Sequence, residues 1–374
     1  INKAATDNAV ALRKRFDNWL TKGAENQLIS PKKDLLIDVS FDRKEIRFEG
    51  EKKDKKRTIF RNFANDSLAM EIYGDWENMP ISIKSPRGLG LKLVGESYLK
   101  IHETANWWRI SDFNHRTVGN FERNQPFTVS LWVGIIDPKF KGSIFNRHSG
   151  ALSAFRGYEC QRLEDGRLAF RISNVWPDDA IDFETDYVLK PNQWTYITMT
   201  YDGLSKANGL KVYINGQRAK GRFISDNLTG SLIWEKKHDI QKSYAASTNF
   251  SFGRMHTTFY KGYAVDELKV FGRVLTPLEI QSELTQKDMV QHTLRVPTEK
   301  RTATQKEALF DYFITHIDPI SRELAAKRQK LIGEETEVLN KEIDMMVTRD
   351  RKYPRKTFIL ERRISALHKF KLTN

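Results

Sequence analysis

The chain has 374 residues, of which 39% are hydrophobic, and a formal net charge of +14. Its 22 Phe, 12 Tyr and 8 Trp provide ample apolar surface for a folded core, which excludes disorder for most of the chain. A single cysteine, Cys160, excludes an internal disulfide and all cysteine-based metal or haem motifs. No stretch approaches the roughly 20 apolar residues of a membrane-spanning helix.

The positive charge is concentrated at the two ends of the chain. Residues 1–62 contain 16 Lys/Arg against 10 Asp/Glu, and residues 349–374 contain nine against two, whereas the middle is nearly neutral. Such clusters occur in solvated linkers, and they also bind phosphate, anionic glycans or acidic protein surfaces. They lack the interleaved aromatic residues that stack on bases, so nucleic acid is a disfavoured partner.

The N-terminal part begins with an amphipathic helix followed by strands. Residues 5–22 place an apolar stripe on one helical face, which predicts a helix that docks on other protein. Residues 35–48, 58–63 and 67–101 have the alternation of strands. A polar loop, 106–124, carries Trp107 and Trp108 and is long enough to be a candidate for function.

Residues 126–284 read as successive short strands, which predicts a mainly β fold, a two-sheet antiparallel sandwich. Glu164-Asp-Gly166 is a predicted hairpin turn, and Asn215-Gly216 is a stronger one because both residues tolerate positive φ. On the strand before it, Leu210, Val212 and Ile214 are expected to face one way and Lys211 and Tyr213 the other.

The C-terminal part is predicted to be helical. Thr276-Pro-Leu-Glu279 has the pattern of a helix start, and a helix is expected over 308–317. A second helix, from Pro319 to about Met346, repeats Leu324, Leu331 and Val338 every seven residues, which predicts a helical hairpin or a short coiled coil. Thr357–Leu360 looks like the first strand of a further domain.

These patterns divide the chain into four predicted segments. They are an N-terminal helical flank (1–34), the sandwich (35–284), a helical hairpin or coiled segment (285–348), and a basic tail that begins a further domain (349–374).

Several motifs in the sandwich carry a family resemblance. They include Gly157-Tyr-Glu159, Trp176-Pro177, Thr200-Tyr-Asp-Gly203 and Val265–Phe271 followed by Leu275–Glu279. Together they resemble the laminin-G-like, concanavalin-A-like insert of planctomycete-type, cytochrome-associated multidomain proteins. The resemblance covers roughly residues 90–360 and implies a jelly-roll sandwich from a larger exported bacterial protein, located in the periplasm, at the cell surface or outside the cell.

Two departures limit that resemblance. The family continues after Leu360 with Arg-Gly and Tyr-Asp, which are replaced here by Glu361-Arg-Arg-Ile364. The Cys-x-x-Cys-His haem motif is absent, so no haem is expected in this chain.

The function expected from the sequence is binding without catalysis. Glucanases of this fold place their carboxylates as Glu-x-Asp-x-x-Glu on one strand, and the sequence contains no such triplet. Sandwich lectins combine aromatic faces with fixed polar groups. The loop residues with this character are Trp107, Trp108, Arg147, Trp176, Asp178, Asp179, His256 and Tyr260.

Other interpretations of these residues remain open. Trp176-Pro177 also fits packing at the end of the sandwich, and Trp132 and Trp194 are predicted to be core residues because they lie in strands. His148 and His256 are predicted to be ordinary surface histidines.

A structural calcium ion is a further expectation, because laminin-G-like sandwiches often bind calcium at the rim through carboxylates. Asp42 and Asp266 are the predicted ligands, and a hydrogen bond from Asp266 to a neighbouring turn is the competing interpretation. The chain is therefore predicted to bind a glycan, with basic flanks that suit an anionic one. A structural module that docks neighbouring domains or subunits is the alternative. An enzyme or electron-transfer protein whose active domain lies outside this chain ranks third.

Overall fold

Alternating apolar and polar residues along most of the chain give strands with one buried face. The computed structural model describes residues 2–49, 55–74, 79–101, 118–148, 150, 154–233, 250–341, 358–360 and 370–372. These residues belong to two compact units, Ile1–Leu339 and Asn340–Asn374.

The strands of the first unit, in chain order, are β1 (Leu35–Val39), β2 (Lys44–Glu49), β3 (Lys55–Phe60), β4 (Met70–Tyr73), β5 (Ile81–Ser85), β6 (Gly88–Lys92), β7 (Tyr98–Ile101), β8 (Phe127–Ile135), β9 (Gly142–Arg147), β10 (Gly157–Arg162), β11 (Arg167–Val175), β12 (Asp179–Val188), β13 (Trp194–Tyr201), β14 (Leu210–Ile214), β15 (Gln217–Arg218), β16 (Gly221–Asp226), β17 (Ser251–Phe252), β18 (Arg254–Met255), β19 (Thr258–Phe259) and β20 (Tyr263–Phe271). The helices are α1 (Asn2–Thr21), α2 (Pro277–Thr285), α3 (Met289–Arg295), α4 (Ala303–Tyr312), which continues into a π-helical turn (Phe313–Ile317), and α5 (Pro319–Leu339). None of the helices in the described part of the chain has the length and apolar character needed to cross a membrane.

Two antiparallel sheets form the sandwich. One has eight strands in the order β15-β14-β13-β8-β20-β6-β5, with β1 also paired to β20. The other has ten strands in the order β16-β12-β11-β10-β9-β17-β7-β4-β3-β2. A single large cluster of buried apolar side chains contains residues from both sheets, including Val129 and Leu131 from β8 and Phe170 and Ile172 from β11. The predicted mainly β, two-sheet antiparallel sandwich with an N-terminal helix and C-terminal helices is confirmed.

The hairpin turns form where the sequence predicts them. Asn215 and Gly216 have φ of 49° and 76° and join β14 to β15, as a type I′ turn requires. Leu210, Val212 and Ile214 belong to the inter-sheet core, while Tyr213 faces a separate apolar cluster on the other side of the sheet.

The helices cover the outer surface of the eight-stranded sheet at one end. Phe16 and Trp19 of α1 are buried against Leu309, Tyr312 and Phe313, so the predicted docking partner of α1 is the C-terminal helical region of the same chain. Helix α2 starts as predicted, with the Glu279 carboxylate accepting a 2.8 Å hydrogen bond from the backbone N–H of Thr276.

Helix α5 packs on the rim of the sandwich. The side chain of Arg123, just before β8, donates to the Thr336 hydroxyl at 2.7 Å and to the Glu335 carboxylate at 2.7 Å. The amide of Gln329 donates to the backbone oxygen of Asp202. The predicted continuation of this helix to about Met346 lies outside the described residues, and the predicted domain boundaries stay predictions.

The second unit contributes a two-stranded antiparallel hairpin, β21 (Phe358–Leu360) and β22 (Phe370–Leu372). The strand predicted near Thr357–Leu360 is therefore present.

Candidate functional site

A row of polar side chains crosses the outer face of the ten-stranded sheet. Adjacent members are opposite one another in the register of neighbouring strands, so the row is continuous over eight strands. Its members are, in order, Glu71, Lys100, Ser251, Asn146, Glu159, Arg171, Asp182 and Ser225. At about 4.8 Å between strands, the polar row is roughly 34 Å long.

The alternation of strand side chains puts this row on the face opposite the core. Tyr158 and Cys160, on either side of Glu159, are core residues, as are Phe170 and Ile172 on either side of Arg171. Despite facing away from the core, most of the row is inaccessible to solvent, with Glu159 only 3% exposed. Neighbouring protein therefore covers most of these outward-facing polar side chains, while Lys100, Arg171 and Ser225 stay partly exposed.

Charge pairing fixes the centre of the row. The Arg171 guanidinium donates to Glu159 at 3.3 Å and to Asp182 at 2.9 Å, and His148 lies 3.3 Å from the other oxygen of Glu159. Burial alone raises the pKa of the Glu159 carboxyl, but the neighbouring His148 and Arg171 outweigh it and lower that pKa. Glu159 is therefore held as a carboxylate.

Asp182 is the member of the row with unused hydrogen-bonding capacity. Its Oδ2 accepts hydrogen bonds from Arg171 and from the indole N–H of Trp176, the latter at 3.1 Å. Its buried Oδ1 has no hydrogen-bond partner among the described residues. Burial raises the pKa of Asp182, while Arg171 and Trp176 lower it by less. An unsatisfied buried acceptor of this kind favours a donor from an ordered water.

Aromatic residues flank the row at both ends. At one end the Arg171 guanidinium lies 4.5 Å from the centre of the Trp176 ring, and Phe155 meets Trp176 edge to face. At the other end Tyr73 and Tyr98, opposite each other on β4 and β7, stack with ring centres 5.2 Å apart.

Basic side chains cover this second aromatic group. The Lys100 ammonium lies 4.5 Å from the Tyr73 ring centre, and the Arg254 guanidinium lies 4.6 Å from that of Tyr98. The Tyr73 hydroxyl donates to Glu71 of the row, so the aromatic pair and the row form one surface.

Among the predicted ligand-binding residues, Trp176 is the one that the structure brings to the polar row. Its packing against Phe155 and Arg171 also agrees with the competing prediction of packing at the end of the sandwich. Asp179 instead fixes a turn, since its carboxylate accepts the backbone N–H groups of Thr229 and Gly230. Asp178 is exposed in the turn before β12.

The other predicted residues lie apart from the row or beside its edge. Arg147 is buried and is opposite Tyr158, a core residue. Tyr260 lies against Gly142, where a Cβ atom would be only 2.1 Å from its ring. Burial raises the pKa of Tyr260 to about 12, and the charge of Glu159 adds to the shift.

His256 is half-buried in the turn between β18 and β19. Trp107 and Trp108 lie outside the described residues.

The prediction of a surface position is wrong for His148. The imidazole is 1% exposed, and its Nδ1 accepts the backbone N–H of Gly150 while Nε2 faces Glu159. The predicted core position is wrong for Trp132 and Trp194. Both are half-buried, Trp132 against Tyr196 and Trp194 against Gly134, and neither belongs to the inter-sheet core.

The two predicted calcium ligands lie near each other beside the irregular pairing of β20 that follows Asp266. Asp266 accepts hydrogen bonds from the Ser85 hydroxyl at 2.5 Å and from the N–H of Glu267 at 2.8 Å, as the competing interpretation predicts. Asp42 accepts the N–H of Leu89, and its charge contributes, after burial, to raising the pKa of Asp266. No group of three or more metal-binding side chains occurs among the described residues, so the calcium ion stays a prediction.

These carboxylates predict a measurable pH dependence of stability. Burial, followed by the charge of Asp266, raises the pKa of Glu267 from 4.5 to about 7. Because the folded state resists ionising Glu267, we expect the free energy of unfolding to fall by about 1–2 kcal/mol between pH 4.5 and 7. Glu267→Gln should remove this decrease, as measured by urea denaturation at pH 4.5, 6 and 7.5. Glu164→Gln, at a highly exposed side chain, is the control and should keep it. Identical pH profiles for the wild type and Glu267→Gln would contradict the assignment.

A cavity of about 390 Å³ between β20 and the helices is the competing candidate site. Four of its charged lining groups are paired, Lys269 with Glu283 and Arg273 with Glu279, both at 2.6 Å, and Asp288 accepts the N–H of Gln291 at the start of α3. The polar row, with an unsatisfied acceptor and flanking aromatic rings, is better suited to a ligand.

Comparison with known proteins agrees with the fold. Residues 109–281 match a laminin G family described as the concanavalin A-like lectin/glucanases superfamily. No curated protein matches the sequence.

Three solved structures illustrate the likeness. The binding domain of Paraclostridial Mosquitocidal Protein 1 is 16% identical, with a TM-score of 0.43, over 69% of this chain and 53% of that chain. The binding domain of botulinum neurotoxin DC in complex with SialylT is 11% identical, with a TM-score of 0.39, over 71% and 53%. Domain 4 of AbnA, a GH43 extracellular arabinanase from Geobacillus stearothermophilus, in complex with arabinotriose, is 16% identical, with a TM-score of 0.39, over 67% and 98%. The chain thus spans about half the length of the two toxin domains.

Proposed function

We propose that this chain is a non-catalytic carbohydrate-binding module of a larger exported bacterial protein, with the polar row as its glycan-binding groove. The observation that carries the proposal is the continuity of the row, which places polar groups across eight strands between two aromatic groups and keeps Lys100, Arg171 and Ser225 partly exposed. The match of residues 109–281 to a lectin and glucanase superfamily supports it.

The chemistry of the groove suits a sugar polymer. Sugar hydroxyls need both donors and acceptors in fixed positions, and the row alternates carboxylates, amides, hydroxyls and cationic groups. The apolar faces of sugar rings pack on aromatic side chains, and the partly exposed Tyr98 and Trp176 would supply that contact where Arg254 and Arg171 leave their rings uncovered. An extended groove of about 34 Å accommodates a chain rather than a single small molecule.

The same geometry supports binding over cleavage. Glycoside hydrolysis uses one carboxylic acid to protonate the leaving group and a second, ionised carboxylate as base or nucleophile. Here Glu159 and Asp182 are held by the same guanidinium, that of Arg171, at 3.3 and 2.9 Å. Two carboxylates bonded to a shared cation are poorly arranged to divide those roles.

The groove itself favours a neutral glycan. The charged members of the row are Glu71, Lys100, Glu159, Arg171 and Asp182, which nearly compensate one another. A preference for anionic glycans would therefore depend on the basic flanks. The calcium ion predicted at Asp42 and Asp266 remains part of the proposal as a structural ion.

Affinity electrophoresis of the full chain through a panel of neutral and anionic polysaccharides, with and without calcium, tests the proposal. We expect retardation by at least one polysaccharide and about a tenfold weaker affinity for Tyr98→Ala, because the variant removes one aromatic face. Trp194→Ala is the matched control, since Trp194, like Tyr98, is a half-buried aromatic residue, and it lies on the outer face of the other sheet.

No retardation by any polysaccharide would contradict the proposal. Equal losses in Tyr98→Ala and Trp194→Ala would show that the polar row is not the binding surface. Circular dichroism of both variants establishes that they are folded.

A structural or assembly module is the second candidate function. Helices α1 to α4 pack around one apolar cluster on the outer surface of the sandwich, while α5 keeps an apolar face in solvent. An enzyme or electron-transfer protein whose active domain lies elsewhere, as in the planctomycete-type proteins, is the third. Sequencing the full-length gene product tests it through the presence or absence of a haem motif.

A further inference from the structure

Helix α5 has an apolar stripe that is exposed along its whole length. Leu324, Leu331 and Val338 recur every seven residues and are 58%, 55% and 58% exposed, and Ile320, at 49%, lies on the same face. A solvated α-helix in a monomer normally carries polar residues on such a face, so the stripe indicates a partner.

The stripe lies directly opposite the face that holds α5 on the sandwich. Gln329 and Thr336 contact the sandwich, through Asp202 and Arg123 respectively. At about 100° per residue, these two positions are roughly 140–160° around the helix from Leu331. A partner can therefore cover the stripe without displacing the helix from its own domain.

The charges beside the stripe identify the partner and its direction. Lys327 and Glu334 flank one side of the stripe, and Arg328 and Glu335 flank the other. In a parallel, in-register pair of α5 helices, the basic residues Lys327 and Arg328 would face the basic residues of the second copy. The acidic residues Glu334 and Glu335 would likewise face acidic residues. In an antiparallel pair centred on Leu331, Lys327 meets Glu334 of the second copy. Arg328 meets Glu335 of the second copy, a 60% exposed carboxylate that also accepts from Arg123 of its own chain at 2.7 Å.

The apolar residues have the same symmetry. In the antiparallel register Leu331 meets Leu331 of the second copy, and Leu324 meets Val338 of the second copy. The apolar pairs and the charged pairs are therefore both related by the same two-fold axis, which passes beside Leu331. An interface between two identical surfaces requires such an axis.

We infer that α5 is a homodimerisation helix that pairs with α5 of a second copy, antiparallel and centred on Leu331. One helix per copy buries less surface than a standard protein interface, so the dimer is concentration-dependent, with a dissociation constant in the micromolar range. The glycan-binding groove, formed by other elements, does not take part.

Disulfide trapping in the full chain tests the geometry. The native cysteine, Cys160, is buried and does not interfere. Leu331→Cys should form a disulfide-linked dimer under mild oxidation. Leu324→Cys and Val338→Cys, about 21 Å apart along the helix, should cross-link only when the two variants are mixed. A parallel pair would instead cross-link each of them alone, which would overturn the inference.

Charge exchange gives an independent test by sedimentation equilibrium. Lys327→Glu and Glu334→Lys should each weaken self-association by about tenfold, because each converts two attractive contacts of the dimer into repulsive ones. An equimolar mixture of the two variants should recover dimerisation. Lys306→Glu, an exposed position on α4, is the control and should associate like the wild type.

A wild-type chain that stays monomeric at all accessible concentrations would overturn the inference and mean that another protein or another segment of the chain covers the stripe. Association that Lys327→Glu leaves unchanged would place the dimer interface elsewhere.

Discussion

Glu279→Ala is expected to lower the free energy of unfolding by about 3–5 kcal/mol, because it leaves a buried guanidinium without its counter-charge. The Glu279 carboxylate accepts hydrogen bonds from Arg273 at 2.6 Å and from the Thr276 N–H at 2.8 Å, and it lies 2.8 Å from His316. These partners come from the end of β20, the start of α2 and the π-helical turn after α4. The single carboxylate thus joins the sandwich to the helices.

Urea denaturation of the wild type and of Glu279→Ala at pH 7 and pH 4 measures this effect. Burial raises the pKa of Glu279, but His316 and Arg273 outweigh it and lower the pKa below 4.5. Its contribution is therefore present above pH 4.5 and is lost as the pH falls through the folded-state pKa. The difference between the two proteins should shrink in acid.

Glu283→Ala, one helical turn further along α2, is the control. It removes the partner of Lys269, whose side chain is 24% exposed and can reach water, so the loss should be about 1 kcal/mol. Equal losses in the two variants would show that the buried position of Glu279 has no special importance.

Arg123→Ala is expected to detach α5 from the sandwich and to cost about 2–4 kcal/mol locally. The Arg123 side chain is almost fully buried and donates to Thr336, to Glu335 and to the backbone oxygen of Ile332. Alanine provides none of these bonds and leaves a gap beside the Thr336 hydroxyl. Hydrogen exchange of residues 319–339 should accelerate markedly, whereas β8 and β13 should stay protected.

Glu335→Ala removes only the ion pair of Arg123 and keeps its hydrogen bonds to Thr336 and Ile332, so it measures the ion pair alone. The Glu335 side chain is 60% exposed, but its removal leaves the buried Arg123 guanidinium without this ion pair, so it should cost about 1–2 kcal/mol and accelerate exchange in α5 less than Arg123→Ala does. Unchanged protection of α5 in Arg123→Ala would mean that other contacts hold the helix in place.

Local signals in the sequence predicted the elements of this fold well. The positive φ tolerated by Asn215 and Gly216 specifies a hairpin, and Thr276 and Glu279 specify a helix start, because each acts within four residues. Alternation along the strands showed which side chains would face the inter-sheet core. The fold class follows from many such short-range signals in agreement.

The polar row was not predictable in the same way. Alternation places Glu159 and Arg171 on the face away from the core, but only the strand register shows that they are opposite each other. Glu71 and Asn146 join the row through β7 and β17, which lie far apart in the sequence. The nearest signal was a charged residue between two apolar ones in each strand, which also describes any solvated sheet face.

The error at His148 has the same origin. Its partner Glu159 lies on the neighbouring strand, and no sequence spacing links the two residues. Trp176 was identified because of its neighbour Pro177, yet Asp182, which binds its indole, was missed because it sits within an ordinary strand.

The pairing of β1 with β20 ties the beginning of the sandwich to its end. During synthesis, β1 must wait for nearly the whole domain to leave the ribosome before its hydrogen-bonding partner exists, and α1 must wait longer still for α4. Contacts between such distant segments slow folding and prolong the exposure of aggregation-prone strands. A shortened chain that starts after β1 would leave part of the β20 edge open, so expression of soluble protein depends on keeping both β1 and β20.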